Sequence, residues 1–369
     1  MNNKLFSEFT LGSLTLKNRI VMAPMTRGRA TNSRLLANEV MATYYKQRAT
    51  AGLIITEGCW ISEDAIGYIN VPGIYNDEQV EAWKPVVDAV HQQGGKIFLQ
   101  IAHVGAVSHP DHINGKQPIG PSAINPEEKT FTIDSFKDTP VPREMTLEDI
   151  RNTIEDYRKA SLNAKLAGFD GVEIHGGYIY LIPEFLSSET NQRSDAYGGS
   201  AKNRCRFVLE VLAGAVSVWG PGKVGLKISP ATISGKLRPN ADTEPTYRYL
   251  AEELNKLNLA YLHVWGPTGP VEGTYAAPYK DIATYFRPLY NGVLMAGGGF
   301  DHHNGEQLLN SQNADLVAYG MPFVANPDLV ERFQKDAELA LPNVELLYTG
   351  DFRGYTDYPT LEDLAEEHN

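Results

Sequence analysis

Eight short, nearly unbroken apolar runs recur along the chain, separated by longer stretches of helical period. The runs are RIVMA (19–23), GLIIT (52–56), KIFLQI (96–101), GVEIH (171–175), VGLKIS (224–229), YLHVW (261–265), GVLMAG (292–297) and DLVAYG (315–320). A strand with one wet face alternates apolar and polar residues. A run that stays apolar throughout suits a strand covered on both faces, as in parallel sheets. The intervening segments carry helix punctuation. DEQVEAWKPVVDAVHQQGG ends on Gly-Gly, and TLEDIRNTIEDYRKASLNAKLAG opens with Thr146 three residues before Asp149, a capping box with Asp in place of Glu. SAKNRCRFVLEVLAGAVSVWG and PDLVERFQKDAELAL have the same period. Eight strand–helix repeats predict an α/β fold of the (β/α)8 TIM-barrel type, and a doubly wound open sheet is the competing architecture. With 369 residues, 42% hydrophobic and 21% charged, the chain has ordinary globular composition. It is long enough for one such barrel, and residues 1–369 are expected to form a single domain.

The repeat breaks once. After the third strand, about 45 residues rich in Pro, Gly, Asn and Asp precede the helix that begins near Thr146. Connections that long are uncommon unless functional, so an insertion at about 104–145 is expected to cap the barrel mouth. Near the start, FTLGSLTLKNRI alternates around a Gly-Ser turn and predicts an N-terminal β-hairpin closing the barrel bottom. The formal charge of −12 argues against nucleic acid and against anionic membrane surfaces as partners. Cys59 and Cys205 lie in apolar surroundings, which indicates neither a disulfide framework nor a zinc site. No signal pattern or membrane-length apolar stretch stands out, so a cytoplasmic protein is expected, as monomer or homodimer.

A barrel of this type carries its site at the C-terminal ends of the strands. Reading those ends in order gives Pro24-Met25-Thr26, Glu57-Gly58, Gln100, His175, Lys227, Trp265-Gly266, Gly297-Gly298-Gly299 and Gly320. The glycine triplet after strand seven, with Gly320 beside it, suits backbone N–H groups turned toward a phosphate, and Lys227 adds positive charge. No G-x-G-x-x-G joins a strand to a helix, so a Rossmann dinucleotide site is not supported. In HGGYIYLIPEF, His175 stands at a strand end and Tyr180 follows as a candidate proton donor. A packed aromatic loop is the competing reading of the same stretch. His302-His303 reads as a solvated pair at a helix start, and metal-ligand spacing is absent.

The chain resembles the old yellow enzyme family of flavin-dependent ene-reductases over essentially its full length. The marks are NRIVMAPMTRGRA, GYINVPGIYNDEQVEAWKPVVDAVHQQGGKIFLQ, GFDGVEIHGG, RSDAYGGSAKNRCRF, YGMPFVANPDLVERF and GYTDYPTL. The resemblance implies FMN at the barrel mouth. It places Pro24, Met25 and Thr26 along the flavin ring, Gly58 and Gln100 at its edge, and Gly298, Gly299 and Gly320 around the phosphate. It implies NAD(P)H as reductant, hydride delivery to the β-carbon of an enone, and protonation of the α-carbon by Tyr180. His175 matches the first of two donors to the substrate carbonyl, and Tyr68 and Tyr348 match aromatic residues lining the substrate cavity.

Several positions depart from the family pattern. The second carbonyl donor, usually Asn or His, is Tyr178; the strand-five Arg is Lys227; the Arg after Gly320 is Met321. Ala102 and Ala106 stand where Trp and Arg are frequent. The leading expectation is an FMN-dependent, NAD(P)H-consuming reductase of α,β-unsaturated carbonyl compounds. The alternative is a reshaped pocket used for isomerisation, dehydrogenation or cyclisation with weak or no flavin binding. A ligand-binding protein without catalysis is the third.

Overall fold

The computed structural model describes residues 3–267 and 269–366. Eight parallel strands close into a barrel: β1 Ile20–Met22, β2 Leu53–Trp60, β3 Ile97–Ala102, β4 Gly171–Gly176, β5 Val224–Ile228, β6 Tyr261–Trp265, β7 Leu294–Gly297 and β8 Leu316–Tyr319. Each pairs with its neighbours in chain order, and β8 pairs back to β1. This is the (β/α)8 barrel expected from the eight runs, and every run supplied its strand. One parity of each strand faces the surrounding helices; the other fills the barrel. Val21, Leu53, Phe98, Tyr261, Met295 and Leu316 form the inner cluster. The hairpin Phe9–Leu11/Leu14–Leu16 turns through Gly12-Ser13, with Gly12 at φ +58°, and adds Leu11 and Leu16 to that cluster from the N-terminal end. The polar residues of the strands are thereby concentrated toward the opposite mouth.

The helix Leu147–Leu166 begins with the predicted capping box: Asp149 N donates to Thr146 Oγ1 at 3.1 Å, and Thr146 N to Asp149 Oδ2 at 2.7 Å. The insertion after β3 is structured. It contains the hairpin Lys129–Phe131/Phe136–Asp138 and a parallel pair, Ile119–Gly120 with Arg143–Glu144. Side chains tie it down: Ser108 Oγ donates to Ile66 O at 2.5 Å, and Thr130 Oγ1 donates to Gly67 O. Among the described residues no helix is long and apolar enough to cross a membrane.

Two local expectations need correction. The segment PDLVERFQKDAELAL stays helical only over Leu329–Gln334. The buried Arg332 guanidinium draws the following chain back, donating to Glu338 O at 2.9 Å and Pro359 O at 3.0 Å. His303 is exposed and stacks on His302 at 5.3 Å, but His302 itself is half-buried. Its ring stacks on Phe333 at 5.2 Å and tilts against Phe6 at 5.7 Å, so the apolar face of the ring sets its position.

Candidate active site

Strand register builds the floor of the barrel mouth. Glu173 on β4 lies opposite Gln100 on β3, His175 opposite Lys227 on β5, and Lys227 opposite His263 on β6. Five polar side chains on four adjacent strands thus occupy two neighbouring rows of the ladder, Gln100 with Glu173 and His175 with Lys227 and His263. Glu173 is wholly buried and its carboxylate is shared: Gln100 Nε2 donates to one oxygen at 2.7 Å, and His263 Nδ1 meets the other at 3.0 Å. Buried charge is costly unless hydrogen-bonded or paired, and this carboxylate is both. Burial pulls the Lys227 pKa down, while Glu173 opposes the shift. The Lys227 ammonium has no hydrogen-bond acceptor among the described residues and lies 5.2 Å from the centre of the Trp265 ring. It is a cation held at the wall of a cavity. A bulge between Ile55 and Gly58 on β2 breaks the β2–β3 ladder, and Thr56 Oγ1 accepts from Gln100 N at 3.2 Å in the gap.

Above this floor stands the histidine–tyrosine group. Gly177 N donates to His175 Nδ1 at 3.3 Å, which puts the ring proton on Nε2. Burial, then Lys227, pushes the His175 pKa down to about 3. His175 is therefore a neutral N–H donor at ordinary pH. Tyr180 caps the helix Leu181–Leu186 with its ring 4.6 Å from that of His175. Burial and the neighbouring Tyr68 and Tyr178 hold its pKa well above the usual phenol range, so it keeps its proton. Tyr178 has φ +57°, in the left-handed region, where a large side chain is strained. Its N–H donates to Ser229 Oγ at 2.7 Å, which pins the turn. Its ring meets Tyr180 edge-on at 5.9 Å.

Two cavities meet at this group. One, of about 300 Å³, is bounded by Met25, Thr26, His175, Lys227, Trp265 and Met321, with Tyr178, Tyr180 and Tyr348 at its outer side. The other, of about 280 Å³, shares Thr26 and the three tyrosines and extends under the hairpin of the insertion. The C-terminal segment closes the wall. Arg29 donates to Leu347 O at 2.6 Å, Leu346 O at 3.0 Å and Arg353 O at 2.9 Å; Arg27 donates to Gly354 O at 2.6 Å and Tyr44 Oη at 3.0 Å. These contacts bring Tyr348 to both cavities. Glu57 lies beneath, accepting from Arg27 N at 3.3 Å, and burial raises its carboxyl pKa to about 7.

The residues present fit a flavin mononucleotide. Gln100 and Thr26 offer polar groups at the floor and wall, and Lys227 offers a cation without an acceptor. After β7, Gly298 and Gly299 have φ of +109° and +77°, and a Cβ on Gly299 would meet nothing within 4 Å, so that turn is open to a ligand. The Met321 side chain, on the first cavity, would offer no donor to a phosphate.

Of the residues singled out in the sequence, Met25, Thr26, His175, Tyr178, Tyr180, Lys227, Met321 and Tyr348 line the first cavity, and Tyr68 lines the second. Gly58 sits where a Cβ would lie 3.3 Å from Gln100 Oε1, 3.7 Å from Ala102 Cβ and 3.9 Å from His175 Cδ2, so these four are packed together behind the cavity. Gly320 borders Met25, and Gly298 borders Trp265. Pro24 is half-buried next to Met25. Sequence reasoning missed Glu173, His263 and Arg27. An ionisable residue inside a doubly covered strand was the available sign for the first two.

Comparison with known proteins fits this geometry. The family model described as NADH:flavin oxidoreductase / NADH oxidase matches residues 4–340. The rice (Oryza sativa subsp. japonica) 12-oxophytodienoate reductase 1 is 42% identical over 370 residues, covering 98% of this chain and 94% of the relative. The Arabidopsis thaliana 12-oxophytodienoate reductase 2 is 40% identical over 368 residues, covering 98% and 96%. Among solved structures, morphinone reductase superposes with a TM-score of 0.92 at 42% identity, covering 98% of each chain. A complex of morphinone reductase with tetrahydroNAD gives 0.91 at the same identity and coverage. The old yellow enzyme homologue from Zymomonas mobilis gives 0.92 at 38% identity, covering 97% of this chain and 100% of that one. The chain belongs to the NADH:flavin oxidoreductase / NADH oxidase family, the family of the old yellow enzymes.

Proposed function

We propose that this chain is an FMN-dependent reductase of activated C=C bonds in α,β-unsaturated carbonyl compounds, with a nicotinamide nucleotide as reductant. The observation that carries the reading is the pairing of a neutral imidazole donor, His175, with a protonated phenol, Tyr180, 4.6 Å apart ring to ring on one cavity. Lys227, Thr26 and Gln100 are the polar groups that would hold the cofactor, together with the glycine turns at 298–299 and 320. FMN, when bound, supplies a carrier that takes a hydride from the nicotinamide and gives it to the β-carbon of the enone.

The protein's own groups do the rest. His175 Nε2–H donates to the carbonyl oxygen and stabilises the negative charge that develops there as the β-carbon is attacked. Tyr178 is the second donor in this proposal: its hydroxyl has no hydrogen-bond partner among the described residues, and its ring borders both cavities. Tyr180 delivers its proton to the α-carbon. Tyr68, beside it, is placed to interact with the phenol through its own hydroxyl. The names of the relatives and of the neighbouring structures favour this reductive reading over a non-reductive one. For NADH as the reductant, the support is the family's description and the tetrahydroNAD complex of morphinone reductase.

The test is single-turnover reoxidation of the reduced, flavin-loaded protein by cyclohexenone. Tyr180→Phe removes only the proton source and is expected to slow the reaction roughly 10²–10⁴-fold. A variant as fast as the parent would show that the proton comes from elsewhere.

A further inference from the structure

The second cavity has a composition that the reaction itself does not require. Six aromatic rings bound it: Tyr68, Phe131, Phe136, Tyr178, Tyr180 and Tyr348. None of its lining residues carries a charge. Two of the rings, Phe131 and Phe136, come from the hairpin of the insertion and pack on each other at 4.8 Å. Phe136 is 64% exposed and Tyr348 61% exposed, so both stand at a rim open to solvent, while Tyr180 lies at the inner end. Exposed aromatic rings at a pocket rim are costly to leave wet and are a common mark of a binding surface.

We infer that this vestibule is a subsite for an uncharged, apolar arm of the substrate, an aryl or fused-ring substituent carried by the enone whose reacting end sits between His175 and Tyr180. Size supports the assignment. An apolar cavity of about 150 Å³ holds a benzene ring, so about 280 Å³ accommodates roughly two rings. Chemistry supports it as well, since aromatic walls favour ring-to-ring contact beyond simple burial. Charge sets the sign of the selectivity. Among the described residues no cationic side chain lines this cavity to pair with a carboxylate-bearing arm, so a neutral arm is favoured. Arg27 and Lys227, the cations of the site, border only the other cavity. The insertion thereby selects the substrate by its distal part, through Phe131 and Phe136.

The inference rests on the enone-reductase reading, and the experiment separates the two. With flavin-loaded protein and NADH, kcat/KM is compared for cyclohexenone, for the biphenyl analogue of benzylideneacetone, and for that analogue bearing a terminal carboxylate. The neutral biphenyl enone is expected to exceed its carboxylate by about tenfold or more. The double variant Phe131→Ala/Phe136→Ala is expected to lower the biphenyl-to-cyclohexenone ratio by roughly 10- to 100-fold, chiefly through KM. Phe136→Lys, at an exposed position that does not threaten folding, is expected to shift preference several-fold toward the carboxylate. A parent enzyme that reduces cyclohexenone but uses the neutral and carboxylate arms equally, or a double variant whose ratio is unchanged, overturns the subsite alone. A parent that reduces none of the three overturns the proposed function and the subsite with it.

Discussion

Met321 begins the helix Met321–Ala325 at the edge of the first cavity, where family resemblance leads one to expect arginine. A charge-assisted hydrogen bond contributes about 1.5–3 kcal/mol. In the proposed cofactor site its absence would leave the phosphate of FMN to backbone N–H groups and to Lys227. Met321 is 46% exposed, so a longer cationic side chain can be placed there without repacking the core. Met321→Arg is expected to tighten FMN binding by roughly 10- to 150-fold while leaving riboflavin, which lacks the phosphate, nearly unaffected. Titration of the apoprotein with each ligand by fluorescence quenching measures both; equal gains for the two would mean that position 321 does not face the phosphate. The departure at 321 was visible in the sequence, as were His175 and Tyr180, because polar residues at strand ends stand out against apolar runs. Glu173 and His263 were not singled out. Their partners, Gln100 and each other, come from strands separated by 73 to 90 residues, and only barrel register brings them together. The left-handed turn at Tyr178 was equally hidden, since the two glycines before it are the residues that suit positive φ.

The C-terminal segment is the element that the sequence left least legible. Residues 344–355 have little regular structure, and apart from the buried Tyr355, whose ring stacks on Tyr44 at 3.9 Å, they are held largely through backbone carbonyls accepting from Arg27 and Arg29, more than 300 residues away in the chain. Carbonyl acceptors leave no trace in residue type. The barrel strands were legible for the opposite reason: double coverage demands apolar side chains, and the expected runs 52–56 and 171–175 fall on β2 and β4. The insertion was located but not its hairpin, whose strands are three residues each. The segment's dependence on Arg29 is testable. Removing a buried guanidinium with several carbonyl partners leaves those acceptors unsatisfied, and Arg29→Ala is expected to destabilise the fold by about 2–4 kcal/mol. The damage should be local first. Limited proteolysis under native conditions should cut within residues 344–355 in the variant and not in the parent, and KM for enones should rise as Tyr348 loses its support. Cleavage elsewhere with this segment intact would place the role of Arg29 in another part of the fold.

At the scale of the molecule, the closed barrel pushes its titratable groups to one end and buries several of them in the neutral form. Burial lowers the pKa of His103 to about 4, of His112 to about 4 and of His175 to about 3. Each of these is near 6.5 in the unfolded chain. Below that value the unfolded chain takes up protons that the native protein refuses, so the bound-proton difference favours unfolding and stability falls with falling pH. The loss begins near pH 6.5 and continues until pH approaches each folded value. Three carboxyls act in the opposite sense, among them Glu184, which burial holds well above the usual carboxylate range. Burial raises Glu57 to about 7 and Asp156 to about 6, so the native state holds their protons longer and gains stability as pH falls from those values toward the unfolded pKa near 4. Burial lowers the pKa of His263 as well, so four histidines lose stability on acidification below pH 6.5 while the three carboxyls gain it. His103 isolates one of the contributions. Gly105 N donates to its Nδ1 at 2.9 Å, a contact that an amide oxygen can replace. His103→Asn therefore keeps the acceptor and removes the titration. In thermal denaturation between pH 6.5 and pH 4.5 the variant should lose less stability than the parent, by up to the equivalent of one proton, about 1.4 kcal/mol per pH unit. Parallel slopes for parent and variant would mean that His103 titrates alike in the folded and unfolded chain, and that its burial is not what makes the barrel acid-sensitive.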